Sequence, residues 1–257
     1  MAATAVALQE MGPTYDLDLT RDASQIFRPM SDLTLVFEMK DKLDERSFGS
    51  VWRATNKRNT EIATIKFLKY HNISWEQCMN MIEIKSLVNL GHHPNIVHLK
   101  EVFMENNNAY LIFENMDCSL LHLMNRRCPR VFQEKEVRHY MFQLLMGVAY
   151  MHQQGYVHRD LKSENVLVVF DGLHVKIANL GMAIKVSKSS PTGVAEYVTT
   201  RWYRVSEVLL GLAHEPAMDM WAMDCIMAEL SLSSLCFLGR TRRIKLTRFV
   251  GLSGGLV

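Results

Sequence analysis

His158-Arg159-Asp160-Leu161-Lys162-Ser163-Glu164-Asn165 is the stretch on which the reading of this chain turns. It places a carboxylate at Asp160, an ammonium group at Lys162 and a carboxamide at Asn165. Two apolar runs follow, Val166–Val169 and Val175–Ile177, with Asp171-Gly172 between them. Asp-Gly between apolar runs is a hairpin signal, because both residues tolerate the positive φ of a tight turn. The charged string therefore leads into a β-hairpin, and Asn179-Leu180-Gly181 begins fourteen residues after Asn165. Read alone, such charges are a solvated connection between a helix and a strand, and a lone His-Arg-Asp arises easily by chance.

Order at longer range argues for more. Ala63-Thr64-Ile65-Lys66 reads as a strand, and Ser74 with Gln77 forms a capping box that opens a helix closed at Gly91. That single long helix carries Glu83, seventeen residues after Lys66, and Leu87 one turn further on the same face. Leu111-Ile112-Phe113-Glu114-Asn115-Met116 reads as a strand and its exit. Over 132–154, Val137, Tyr140, Met141, Leu144, Leu145 and Val148 recur at helical spacing up to Gly155, a packing stripe in a core helix.

Taken together these strings resemble a protein kinase. His158–Asn165 is similar to that family's catalytic loop almost in full, and Asn179-Leu180-Gly181 stands where the family carries Asp-Phe-Gly. The fold implied is α+β and two-lobed: a small β-rich lobe with one long helix, and an incomplete, mostly helical large lobe. The resemblance implies ATP as phosphate donor and Mg²⁺ as its cation. Asp160 would accept the proton of the substrate hydroxyl, and Lys162 would stabilise the moving phosphoryl group. Asn165 would hold one metal ion, and position 179 the other. Lys66 would meet the phosphates, oriented by Glu83, with Leu87 packing against His158 and Leu180. Asp44, Arg46, Gly49 and Val51 would cover the phosphates. Thr64, Phe113, Glu114 and Met116 would line the adenine side.

Glu196-Tyr197-Val198-Thr199-Thr200-Arg201-Trp202-Tyr203-Arg204 is similar to the activation segment of the cyclin-dependent and mitogen-activated group. Trp75-Glu76-Gln77-Cys78-Met79-Asn80 and Ile112–Asp117 most resemble male-germ-cell-associated kinases and plant cyclin-dependent kinase F-type proteins. The likeness runs from about Phe37 to about Gly239. Lys162 with Thr200 implies serine/threonine substrates in proteins, and Arg204 implies proline after the acceptor. Tyr197, Thr199 and Thr200 stand as phosphosites and Glu207 as the anchor that closes the segment. A regulatory partner fits the group, but the cyclin-binding helix signature is not found around Glu83.

The departures are as informative. The family's phosphate loop has three glycines, whereas Leu43-Asp44-Glu45-Arg46-Ser47-Phe48-Gly49-Ser50-Val51 keeps only Gly49. Asp44 adds a negative charge beside anionic phosphates and Arg46 partly offsets it, so ATP binding is expected to weaken. Asn179 offers a neutral carbonyl in place of a carboxylate, which hard cations prefer. That loss should cost on the order of 3–5 kcal/mol in the transition state. Ala195 replaces the phosphorylatable threonine two residues before Tyr197, and Ile82 replaces the arginine that receives it in relatives, so that switch is expected to be absent. Asp224 falls among Cys225, Ile226, Ala228 and Leu230, where a carboxylate must find a partner, reach solvent or become protonated.

Composition sets outer bounds. With 257 residues and 48% hydrophobic content the chain can bury a sizeable core, and its net charge of +2 gives no reason to invoke nucleic acid. Five scattered cysteines without Cys-x-x-Cys spacing favour a reduced cytoplasmic or nuclear setting. His92-His93 reads as a turn before Pro94, not a metal site, and no run approaches the ~20 apolar residues of a membrane span. The chain divides into a partly disordered extension (1–36), small lobe and hinge (37–116), a truncated large lobe (117–239) and a basic tail (240–257). Three functions fit: an impaired serine/threonine protein kinase, a pseudokinase binding or scaffold module, or a truncated product without independent function.

Overall fold

The computed structural model describes residues 26–29, 33–46, 49–69, 73–106, 108–169, 174–186 and 215–232. Within them a six-stranded sheet forms the small lobe. Its strands are β1 (Phe27–Pro29), β2 (Phe37–Arg46), β3 (Gly49–Asn56), β4 (Ile62–Leu68), β5 (Leu99–Glu105) and β6 (Asn108–Glu114), in the order β1-β5-β6-β4-β3-β2. The period of two decides what each face does. Along β4, Ala63 and Ile65 are buried in a cluster with Phe37, Ala54, Phe103 and Ile112. Thr64 and Lys66 fall on the opposite face, towards the cleft. Val51 is paired with Lys66, Lys66 with Leu111, and Thr64 with Phe113, so these side chains share that face.

Part of the predicted extension belongs to this lobe. β1 pairs in parallel with β5, Ile26 is buried in the main core, and Leu33 and Val36 are buried against Phe37. The Leu33 amide also donates to Glu105 Oε1 at 3.1 Å.

The predicted single helix is two. α1 (Trp75–Met79) opens on the capping box of Ser74 and Gln77, and α2 (Ile82–Leu90) begins after an extended Met81. Met79 and Met81 both pack on the core. In an unbroken helix they would point about 200° apart, so the break lets both turn inward. Ile82 is left 52% exposed. Gly91 closes α2 at φ 64, a left-handed geometry that glycine adopts without a Cβ penalty.

The large lobe begins with β7 (Cys118–Ser119) and α3 (Leu120–Arg127), where Ser119 Oγ accepts the His122 amide at 3.2 Å. α4 (Glu134–Gln153) opens on a reciprocal cap between Gln133 and Glu136. It buries Tyr140, Met141, Leu144, Val148 and Met151, but Leu145 is 40% exposed, contrary to the stripe read from sequence. β8 (Tyr156–Val157) pairs with β11 (Ile184–Lys185), and the expected hairpin forms from β9 (Val166–Val168) and β10 (Val175–Ile177). α5 (Glu215–Leu232) packs against α4. Asp224 lies on its exposed face with Met220, Met227 and Ser231, so of the three outcomes open to that carboxylate the helix period selects solvent.

Between the lobes, the Val97 amide donates to Ile177 O and the Ile177 amide to Asn95 O, both at 2.8 Å. Asp117 N donates to Val168 O at 3.1 Å. The strand exit at Asn115–Asp117 is thereby tied to the β9–β10 hairpin, and the cleft lies between.

Candidate active site

Lys66 reaches the cleft because strand alternation turns it away from Ile65, and α2 presents Glu83 in its first turn. Lys66 Nζ donates to both carboxylate oxygens of Glu83, at 2.8 and 2.6 Å. The side chains are 25% and 12% exposed, so the pair is partly shielded and its ammonium faces a cleft from a fixed position.

The His158–Asn165 loop is held from three sides. Asp219 of α5, 1% exposed, accepts the His158 amide at Oδ2 (2.8 Å) and the Arg159 amide at Oδ1 (2.9 Å). His152 Nε2 lies 2.9 Å from the same Oδ2. His158 is fully buried and its Nε2 meets Ala178 O at 3.0 Å, while its Nδ1 accepts the Asp160 amide at 3.2 Å. Arg159 takes φ 70, a left-handed backbone that the two Asp219 bonds hold in place. Asp160 Oδ2 lies 3.1 Å from Lys162 Nζ, which also sits 3.3 Å from Glu164. A carboxylate and an ammonium group are thus set side by side.

Asn165, 2% exposed, turns its Nδ2 to Asp160, donating to the backbone oxygen at 2.7 Å and to Oδ2 at 3.1 Å. Its Oδ1 therefore points the other way, and there it accepts Asn179 Nδ2 at 3.2 Å. Asn179 has φ 66 and ψ 63. Asparagine is among the few residues that enter this region readily. Leu180 behind it is fully buried in the same cluster as Leu87.

The remaining predicted positions are placed less uniformly. Val51, Thr64 and Phe113 share the cleft face of the sheet, and Met116 is buried at the strand exit. Thr64 Oγ1 donates to Asn115 Oδ1 at 3.4 Å. Glu114 is committed elsewhere: Lys176 Nζ donates to both its oxygens at 2.7 and 2.8 Å, and the His98 amide donates to Oε1 at 2.7 Å. Any ligand contact by Glu114 falls to its backbone. Asp44 pairs with Val51, and the ladder continues to Arg46 and Gly49. Glu45 is drawn outward by Lys42 and Lys69, whose hydrogen bonds and charges hold its carboxyl down at about 2. A Cβ on Gly49 would meet Phe67 O at 2.1 Å, so this glycine is required by the sheet itself. Tyr197, Thr199, Thr200, Arg204 and Glu207 lie outside the described residues, as do Ala195 and the basic tail.

Asp219, His152 and Lys176 were not among the site residues read from sequence. Their partners lie roughly 60 residues away along the chain, and no local spacing announces such pairs.

These features define a two-lobed molecule with a lysine–glutamate pair above an Asp–Lys–Asn loop. The protein kinase domain family matches residues 37–250, and the chain belongs to that family. It is 49% identical over 195 residues to Cyclin-dependent kinase F-4 of Oryza sativa subsp. japonica, covering 76% of this chain and 41% of that protein. Cyclin-dependent kinase F-3 of the same plant is 46% identical over 214 residues, 83% of this chain and 48% of its own length. Serine/threonine-protein kinase MAK of Homo sapiens is 42% identical over 190 residues, 74% and 30% respectively. The group read from the motifs is therefore the right one, and the chain spans less than half the length of these relatives.

Protein kinases use ATP with Mg²⁺. For ATP the residues fit: Glu83 holds the Lys66 ammonium in place, with an apolar sheet face beside it. For the divalent cation they do not. Mg²⁺ prefers charged oxygen donors, and the carboxamide of Asn179, where the family carries a carboxylate, turns an N–H to Asn165 Oδ1. Among the described residues no group of three His, Cys, Asp or Glu side chains could hold a metal. No helix among them is long and apolar enough to cross a membrane.

Proposed function

We propose that the cleft binds ATP and that the His158–Asn165 loop transfers its terminal phosphoryl group, at a reduced rate, to a serine or threonine hydroxyl of a protein substrate. The observation that carries this reading is the bidentate Lys66–Glu83 pair above a fully anchored catalytic loop. Lys66 meets the phosphates, and Glu83 keeps its ammonium from swinging to solvent. Asp160, with Oδ2 fixed by Asn165 and Lys162, orients the acceptor hydroxyl and takes its proton. Lys162 neutralises charge on the phosphoryl group as it moves. Arg204 favours proline after the acceptor, and the setting is the cytoplasm or nucleus.

The Asn165–Asn179 bond favours a second reading, a nucleotide-binding module whose transfer is too slow to matter. The test is radiolabelled phosphate transfer from ATP to a protein substrate with Ser-Pro and Thr-Pro sites. Transfer abolished by Asp160→Asn supports the first reading. Cooperative folding with ATP binding but no transfer supports the second.

A further inference from the structure

We propose that Asn165 and Asn179 close the divalent-cation position between them, and that the cleft takes ATP free of divalent cation. This rests on the nucleotide reading above and concerns the same site.

The carboxamide pair has a fixed sense. Asn165 Nδ2 is committed to Asp160, through the backbone oxygen at 2.7 Å and Oδ2 at 3.1 Å. Its Oδ1 must then face residue 179, and Asn179 meets it with Nδ2 at 3.2 Å. Rotating the Asn179 amide would set two carbonyl oxygens against each other at that distance, with no proton between them. A carboxylate at 179 could never make this bond, because it has no proton to give. Where a carboxylate at 179 would face Asn165 Oδ1 with a second oxygen, there is one oxygen that accepts a hydrogen bond and one N–H group, and Asn179 Oδ1 is turned towards Gly181. The positive end of that N–H dipole repels a cation.

The same change removes one negative charge from beside the phosphates. A carboxylate at 179 faces the phosphates of a bound nucleotide, and without a metal between them the two repel. The carboxamide carries no charge, and its N–H can donate to a phosphate oxygen. Lys66, paired with Glu83, and Lys162, paired with Asp160 and Glu164, remain the cationic groups that the triphosphate meets. The backbone is unaffected, since asparagine holds the left-handed turn at φ 66. One substitution has thus switched the electrostatics of the site while leaving its geometry in place.

The test is calorimetric titration of the full chain with ATP, once in EDTA and once in MgCl₂. The expected result is a Kd in EDTA within about threefold of the Kd in MgCl₂, while Asn179→Asp binds about tenfold or more weakly in EDTA than in MgCl₂. Wild-type binding that strengthens about tenfold or more with Mg²⁺ would overturn the proposal and leave the nucleotide reading standing. Equal binding of Asn179→Asp in both media would also overturn it, since the amide would not be the determinant. Wild-type protein that binds ATP in neither medium would overturn the nucleotide reading, and this proposal with it.

Discussion

Asp219→Ala should unfasten the catalytic loop, and its cost can be worked from the bonds it breaks. The carboxylate is 1% exposed and accepts two backbone amides, from His158 at 2.8 Å and Arg159 at 2.9 Å. Alanine leaves both donors without that acceptor in a site where His158 is fully buried. Each stranded donor costs about 1–3 kcal/mol, more where the lost acceptor was charged. The two together should remove about 3–5 kcal/mol, a large share of the ~5–15 kcal/mol that holds a typical domain. Asp219→Asn keeps one carbonyl for one of the amides but turns its NH₂ towards the other, so about 2–3 kcal/mol should go. The assay is urea denaturation of the full chain followed by circular dichroism, with linear extrapolation to water. The order should be wild type, Asn, Ala. A loss below about 1 kcal/mol for Asp219→Ala would refute the claim that these bonds fix the loop.

Three further outcomes follow from particular contacts. Lys66→Met strands the Glu83 carboxylate, 12% exposed, and should lower stability by about 1–3 kcal/mol while abolishing the rise in melting temperature on adding ATP; a retained rise contradicts the placement of Lys66. Gly147→Ala puts a Cβ 2.9 Å from Ile177 Cδ1 and 3.0 Å from Asn95 O, and the backbone oxygen cannot yield as a side-chain end can. Overpacking should outweigh the ~1 kcal/mol gained in helix propensity, for a net loss of about 1–2 kcal/mol; a variant more stable than wild type in urea refutes this. His93, buried against Tyr150, is pushed down to about 4 by burial first and then by the charges of His92 and Lys176. In the unfolded chain it titrates near 6.5, so between those values the unfolded state holds the extra proton. Stability from this group is present above pH ~6.5 and lost as pH falls towards 4, with a slope of at most about 1.4 kcal/mol per pH unit. His93→Gln should flatten that part of the pH–stability curve, and an unchanged curve rules the effect out.

Much of the fold was legible because it is written in short-range patterns. Asp171-Gly172 between two apolar runs announced the pairing of β9 with β10, and the stripe from Val137 to Val148 announced α4. The seventeen-residue step from Lys66 to Glu83 survives the break at Asn80–Met81, because it depends on where α2 begins, not on one continuous helix. That break was not legible. The capping box at Ser74 signals a start, and Asn80, the C-cap of the first helix, is by itself a weak stop signal; tertiary burial of two methionines overrides helix continuity there. β1 is three residues long, too short for a period, and its place is set by pairing with β5. Asp224 was read from its apolar neighbours in sequence, whereas on a helix the neighbours that matter stand three and four residues away. At the site, the residues in the contiguous string were readable. The groups that hold them, Asp219 and His152 for the loop and Lys176 for Glu114, come from distant elements, and no local spacing pairs them with the residues they hold. The orientation of the Asn165 and Asn179 amides is likewise a product of the fold, since each is decided by the next acceptor along a chain of contacts that begins at Asp160.

Thermal unfolding of the purified chain with and without ATP tests whether the cleft is formed and takes nucleotide. A single cooperative transition should rise with ATP, by the equivalent of about 2.7 kcal/mol at a hundredfold excess over Kd, and the rise should be absent in Lys66→Met. A cooperative transition that ATP leaves unmoved at every concentration would contradict it.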